Sequence, residues 1–561
     1  MKKYLYVLQY LVFLSFTSLA SAAGTGAPDA GSILQQARPS FNNTPLKGLP
    51  KIIGPPDQTP SAISSRETFM LLKIEIIGNT IFETTTLNAL ISNAVGKRQS
   101  IAQIFALAGR ITDFYQTNGY PLSRAIIPEQ PIHQGKLTIK VIEARFGKIT
   151  IANNSRVNDY LLKDAISSLQ SGRIIKESEL DHALLLLSDI PGILVNPTLS
   201  TGSVAGTSNL LLNISPTTVS ANSVGTDNYG NSYTGQENIR ANMSIYNPLK
   251  MGDVITLNAL TSGVGLNYGR VAYESFINGS GARLGISGST VRYKIGGSLV
   301  NLNASGSATI ISAWSKNVLL RSRNRSLYTQ FQFDRTFLQD HTDAGGVTAY
   351  NDRLIQGATA SVYGDFHNTF FRTNVTTLGL GASYGRVQFQ NAVALANDVS
   401  GTNTSGGFRK ANLNISRIEG FNNSIALHVT YNLQSSLSNL DSSQKMNAGG
   451  PYSVRAFAPG AITGDRGSFS SIELRKTLGT AWLGQWTSTI FVDSASLVTN
   501  PNTVSTSETK TALNGMGLGL ILAGPDELNG VAYIARPYGA VPALADTKRN
   551  SRVALEIKKS F

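Results

Sequence analysis

The sequence predicts a transmembrane β-barrel of about 16 antiparallel strands, preceded by two small α+β units of βααββ order. The long C-terminal part alternates apolar and polar residues over runs about as long as a membrane-crossing strand. The stretch before it repeats one strand and helix order twice, and the chain closes on an alternating strand ending in Phe561.

At the N-terminus, Lys2 and Lys3 precede an apolar run from Tyr4 to Leu19 and then Ala20-Ser21-Ala22, the small-residue spacing of a cleavable signal peptide over residues 1–22. After it, no window reaches the about 18 consecutive apolar residues of a membrane helix. The formal charge is +14 and there is no cysteine. Disulfides, thiolate metal sites and cysteine nucleophiles are therefore excluded. On an exported chain, a basic balance points to acidic lipid or an acidic client, not nucleic acid.

Residues 23–67 are rich in Pro, Gly, Ser and Thr and read as a linker. Its one helical patch is Gly31 to Gln36, with Ile33, Leu34, Gln35 and Gln36 as the candidate plug residues. From Met70 to Ile77 the chain is apolar and β-branched, and Gly78-Asn79 turns it. Helices are expected over Thr84–Val95 and Ser100–Asn118. The second presents Ile101, Ile104, Phe105, Ala108, Ile111 and Tyr115 at helical spacing and stops at Gly119-Tyr120-Pro121. Strands follow at Ser123–Pro128 and Lys136–Glu143. The order recurs as Ile149–Ala152, Val157–Leu169, Glu177–Ser188, Ile193–Leu199 and Asn209–Ser215. The units are placed at 68–145 and 146–216, and the barrel at 217–561.

In the barrel, Ile425, Leu427, Val429, Tyr431 and Leu433 alternate with polar neighbours and smaller residues. Arg240–Tyr246 follows the same rule. Val553, Leu555, Ile557 and Phe561 share a face of the last strand, the form of a barrel-assembly signal. Arg321, Arg323 and Arg325, at period two, would share one face of an extended wall or rim. The five histidines, His133, His182, His341, His367 and His428, have no metal-ligand spacing, and no catalytic motif is present. No enzyme activity, cofactor or metal is expected.

The segment Val454-Arg455-Ala456-Phe457, followed by Gly464-Asp465-Arg466-Gly467 and Ile472-Glu473-Leu474, and then Phe491-Val492-Asp493, stands behind two βααββ units. Together these resemble the outer-membrane transporters of two-partner secretion, the haemolysin-activator or ShlB/FhaC/HecB-like family of the POTRA plus barrel superfamily. Phe114-Tyr115, Asn118-Gly119-Tyr120, Pro128, Gln130, Gly135 and Glu143 look like its first POTRA domain, and Asp227-Asn228-Tyr229-Gly230 like its first barrel hairpin. The resemblance implies a loop folded back into the barrel, with Arg455 reaching Asp493 in the wall. An arginine can give a carboxylate two parallel hydrogen bonds, so the pair would be directional. Ala456 and Ala495 stand where that family usually has glycine.

The resemblance further implies an outer-membrane pore with periplasmic POTRA domains, secreting a cognate TpsA-like exoprotein. Client docking by strand addition is expected at Ser123, Ile126, Ile127, Ile193, Val195 and Leu199. Outer-membrane lipid, lipopolysaccharide and the barrel-assembly machinery are the other expected partners. A barrel-assembly factor of the same superfamily is the alternative, and a passive porin or adhesin a third.

Overall fold

The computed structural model describes residues 28–37, 50, 68–131, 133–218, 220–344, 347–367, 373–502, 509–542 and 551–561. The expected signal peptide and most of the 23–67 linker lie outside the described residues.

In the first unit, strands Lys73–Ile77, Lys136–Ile142 and Arg124–Ile126 form a sheet with Lys136–Ile142 at its centre. Helices Thr84–Ile91 and Ile101–Thr117 supply Leu87, Ile91, Ile104, Leu107, Ile111 and Tyr115 to the core. Ser100 begins the longer helix: it accepts from Gln103 N while the Gln103 side chain accepts from Ser100 N, a reciprocal cap. The expected strand from Met70 to Ile77 is broken at Leu72, whose N–H turns aside to the Gly135 carbonyl at 2.8 Å. Its first two residues belong instead to a separate strand, Thr68–Leu71, which pairs with Lys97–Ser100. That partner, Lys-Arg-Gln-Ser, has no apolar alternation to reveal it.

Glu143 ties this unit together. It accepts from the Thr80 hydroxyl, Thr80 N at 2.6 Å, Ile81 N at 2.8 Å and the Tyr115 hydroxyl at 2.9 Å. Burial alone would raise its pKa, but these donors outweigh burial and hold the carboxyl below its ordinary value. A depressed folded pKa stabilises fully above the unfolded value of about 4.3, and that stability is lost as pH falls through the folded pKa. Glu143→Gln is therefore expected to cost the unit about 1–3 kcal/mol at neutral pH and to flatten the acid arm of its unfolding profile. Denaturant titration monitored at pH 7 and pH 3 checks both.

In the second unit, Arg145–Asn153 runs parallel to the central strand Thr207–Pro216, and Ile193–Thr201 pairs antiparallel on its other side. Helices Asp159–Ala165 and Glu177–Ser188 cover the sheet through Leu162, Leu180, Leu184 and Leu187. The first of these is shorter than the expected Val157–Leu169: Asn158 caps its start, accepting from Tyr160 N at 2.9 Å, and regular helix ends at Ala165.

From Ser220 to Ser560 the chain forms one closed antiparallel barrel. Among the described residues the barrel contains 17 hydrogen-bonded segments, of which Val347–Tyr350 and Arg353–His367 are pieces of one strand, both paired with Arg325–Ala344. That leaves 16 strands. Closure joins Ser220–Asp227 to Arg552–Ser560 through the register Glu556↔Asp227 to Ser560↔Ser223, extended by Asn222 and Phe561, each donating its N–H to the other's carbonyl at 3.0 Å. Val553, Leu555, Ile557 and Phe561 point outward and exposed, while Ala554 between them is buried inside.

The second unit sits against the turns at one rim. Asn247 donates to the Pro191 carbonyl at 2.6 Å, Gly279 N to Asp164 at 2.6 Å, and Arg321 makes a bidentate pair with Asp189 at 2.8 and 2.9 Å. Of the two places expected for Arg321, Arg323 and Arg325, wall or rim, they stand at the rim, but they do not share one extended face. A turn at Ser322–Asn324 separates the two strands, sending Arg321 to Asp189 and Arg323 to Asp181 and Glu177. The Asp181 bond raises the Arg323 pKa against the opposing effect of burial. This rim is proximal and the opposite one distal.

Candidate functional site

Among the described residues, two elements occupy the lumen. The loop leaving the Ile425–Ser436 strand passes through Ser442–Gln444, pairs Met446–Ala448 with Ile462–Gly464, and re-enters the wall at Arg466. Between those short strands its tip turns inward. Val454, Ala456 and Phe457 bury against Phe469, Phe491, Leu497, Leu513 and Ala535 of the wall.

Arg455 lies at the centre of that contact. Its Nε donates to Asp493 Oδ2 at 2.9 Å and its Nη2 to Asp493 Oδ1 at 2.8 Å, while its backbone N–H reaches the same carboxylate at 3.1 Å. Nη1 pairs with Glu473, and Nη2 also donates to Ser471 Oγ at 3.1 Å. The guanidinium carbon stands 3.3 Å from the Phe491 ring centroid, a cation over a π face. Register explains the convergence: Ser471 is opposite Asp493 and Glu473 opposite Phe491 on adjacent strands, so all four side chains face the lumen. Asp493 is 0% exposed.

Ala456 is not among the residues with positive φ, so alanine brings no backbone strain there. Room for its methyl comes from across the gap: a Cβ at Gly515 would lie 2.7 Å from Ala456 Cβ and 3.2 Å from Val454 Cγ1. Gly515→Val is accordingly expected to unseat the loop tip while leaving the barrel closed. Limited proteolysis within residues 449–461 should accelerate several-fold, with heat-modifiable gel mobility unchanged. Ala495 packs between Phe469 and Leu513 in the register and is buried.

At the loop base, the buried Asp465 accepts from Leu440 N at 2.5 Å and Asn500 N at 2.6 Å, with Lys445 Nζ at 3.5 Å. Gly467 follows at φ +154°, and a Cβ there would meet the Ser496 carbonyl at 2.3 Å. Gly464 is also tightly packed, a Cβ falling 2.7 Å from Leu497 Cβ.

The second element is the helix Ala30–Ala37. Asp29 caps it, accepting from Ser32 N at 3.0 Å. Ala30, Ile33, Leu34 and Ala37 bury against inward residues of the opposite wall, among them Val291, Tyr293, Ile310, Leu338, Ile355 and Phe408. Gln35 donates to the Ser442 carbonyl at 3.0 Å, and Gln36 accepts from Asn231 at 2.7 Å.

One guanidinium joins helix, loop and wall. Arg353 meets Asp29 of the helix cap at 3.1 Å, Asp441 of the loop at 2.7 Å and Asp340 of the wall. Ala30 N donates to Asp340 at 2.7 Å, Tyr293 OH to Asp340 at 2.6 Å, and Ser442 Oγ to Asp29 at 2.6 Å. Sequence reading missed this cluster, whose members are separated by up to hundreds of residues. The only local signal was Asp29 in cap position before a short helix.

The expected docking residues lie in the two units, Ile126 on the edge strand Arg124–Ile126 and Ile193, Val195 and Leu199 on the edge strand Ile193–Thr201. Ser123, Ile193, Val195 and Leu199 are buried within the two units, so their side chains cannot meet a client. Alternation sends them to the core and leaves Leu194 and Asn196 of the same edge strand exposed. Ile126 and Ile127 are part-buried, Ile127 against the first unit's core.

A family model for the ShlB-type POTRA domain matches residues 69–144, and one for the haemolysin secretion/activation proteins ShlB/FhaC/HecB matches residues 206–522. The heme/hemopexin transporter protein HuxB of Haemophilus influenzae is 27% identical over 493 residues, covering 87% of this chain and 86% of that protein. The outer membrane transporter CdiB of Escherichia coli O6:K15:H31 is 26% identical over 257 residues, 45% of this chain and 43% of that one. Among solved structures, CdiB from Escherichia coli aligns with a TM-score of 0.68 at 20% identity, over 90% of this chain and 93% of that one. BamA from Haemophilus ducreyi lacking POTRA domains 1–3 aligns with a TM-score of 0.54 at 16% identity, over 88% and 100%.

Proposed function

The chain belongs to the haemolysin secretion/activation family ShlB/FhaC/HecB, and from that membership we propose how it works as an outer-membrane pore of two-partner secretion. The proximal rim and both units face the periplasm, and the distal rim faces the cell exterior. The observation that carries the mechanism is that one lumen holds both a short helix and an inward-folded loop, bound to each other and to opposite walls.

The exoprotein arrives extended and docks on an edge strand of a POTRA unit. Ile193–Thr201 has a ladder partner on one side only, and Pro197 within it lacks an N–H, as suits an edge. Main-chain hydrogen bonds would supply affinity, and Leu194 and Asn196 selection. Arg321 and Arg323 tie the second unit to the barrel turns, so docking strain passes to the wall. Client binding must favour the open lumen over the plugged one for transport to begin. The helix then leaves, the loop held by Arg455 rearranges, and folding of the client outside biases its movement.

The outward face of Val553, Leu555, Ile557 and Phe561 offers the barrel-assembly machinery its signal, and the lipid-facing wall meets lipopolysaccharide in the outer leaflet. Deleting the gene and comparing culture supernatant with outer-membrane protein tests the reading. Loss of one large secreted protein, restored by complementation, supports it; a general loss of outer-membrane barrels supports an assembly factor instead.

A further inference from the structure

We propose that the outer wall carries a binding site for a phosphorylated glycolipid of the lipid A type, formed by Arg335, Arg386 and Arg409 above an apolar groove. The proposal rests on the outer-membrane placement above and adds a defined site to it.

Each arginine is exposed, and each has an immediate neighbour buried in the lumen: Thr336, Val387 and Phe408 respectively. Because side chains alternate across a strand, the three arginines point out of the barrel. The register clusters them. Arg335, Gln356 and Arg386 lie directly opposite one another on three adjacent strands, and Arg409 is opposite Tyr384, two residues from Arg386. With strands about 4.8 Å apart, Arg335 and Arg386 have Cα atoms about 10 Å apart. Among the described residues, none of the three forms an ion pair. Two of them lie on aromatic rings, Arg335 5.2 Å from the Phe337 centroid and Arg409 5.9 Å from that of Tyr384.

One row below, toward the membrane middle, a groove of about 1030 Å³ opens on the same face. Ala313, Ala358, Ala360, Ala382 and Ala411 floor it, and Phe331, Phe333 and Tyr384 wall it. Following each strand toward the distal rim leads from Phe333 to Arg335, from Ala358 to Gln356, from Tyr384 to Arg386 and from Ala411 to Arg409. Unpaired cations thus stand on the extracellular side of a trough wide enough for acyl chains. Charge complementarity selects the occupant: a lipid with phosphates at its headgroup and several chains below, oriented as in the outer leaflet. Guanidinium forks match phosphate oxygens in pairs, and the low dielectric near the bilayer strengthens each contact.

The test uses the full-length protein in detergent, with lipid A retention read by native mass spectrometry and thermal stability. Wild type should hold lipid A at least tenfold more tightly than lipid A stripped of its phosphates or phosphatidylglycerol, and inorganic phosphate alone should not stabilise it. The triple variant Arg335→Gln, Arg386→Gln, Arg409→Gln should lose that preference, whereas Arg292→Gln, elsewhere on the outer wall, should keep it. Ala360→Phe, which fills the groove floor, should weaken retention with the arginines intact. Equal binding by wild type and the triple variant, or equal retention of phosphorylated and stripped lipid, would overturn the site. Secretion and outer-membrane fractionation of the triple variant are measured alongside, so failure of the lipid site is separable from failure of the pore reading.

Discussion

Arg455→Ala is expected to reduce secretion of the exoprotein at least tenfold while the barrel still folds and inserts. The substitution leaves Asp493, fully buried, without its bidentate partner and strips Glu473 of one of two cations, Arg475 remaining. Removing one member of a buried ion pair costs about 3–5 kcal/mol, and each 1.4 kcal/mol is about tenfold, so the seated loop should become a minor state. Arg455→Lys should fail nearly as badly, since a single ammonium cannot span both Asp493 oxygens and also reach Glu473 and Ser471. Arg455→Met with Asp493→Leu removes both charges. It should recover most of the barrel's thermal stability without recovering secretion, separating a stabilising pair from a mechanistic one.

The second large effect is expected at Arg353, where Arg353→Met should convert a closed pore into a leaky one. Asp29, Asp340 and Asp441 converge on this guanidinium from helix, wall and loop, and without it three carboxylates share a buried space with no cation among them. The helix has only eight residues, too short to be stable apart from its packing. Expelling Asp29 therefore releases it. Single-channel conductance in planar bilayers should rise several-fold and long closures should shorten. Asp340→Asn, which removes one of the three negative charges but keeps hydrogen-bond capacity, should have a smaller effect. Conductance like wild type in Arg353→Met would show that the apolar packing of Ile33 and Leu34 holds the helix unaided.

Much of this architecture was legible because alternation and helical spacing are local signals. Ile425 to Leu433 announces a strand with one lipid face, and Ile104, Ala108, Ile111 and Tyr115 announce a helix packed on a sheet. The Lys97–Ser100 strand was not legible, since all four of its residues are polar and its ladder is set by Thr68–Leu71. Among the site residues, Arg455 and Asp493 could be paired only through a family resemblance, since no spacing rule links positions on a loop tip and a wall strand. Arg353 with its three aspartates, and Arg321 with Asp189, depend on which turns and loops meet in space. The expected docking residues lie on or beside the edge strands Arg124–Ile126 and Ile193–Thr201, but apolar residues on such a strand mark its core face, and a client added as a strand meets the free backbone edge and the other face.

For the exoprotein to pass, the Ala30–Ala37 helix is expected to leave the lumen. The chain has no cysteine, so cysteines placed at Gln36 and Asn231, whose side chains are hydrogen-bonded at 2.7 Å, would be its only thiols. Joining them with a short thiol-specific cross-linker and following the secreted protein shows whether the helix has to move. Secretion is expected to stop in the joined form and to continue in each single-cysteine variant under the same treatment; secretion at the wild-type rate with the helix tethered would show that the helix need not leave.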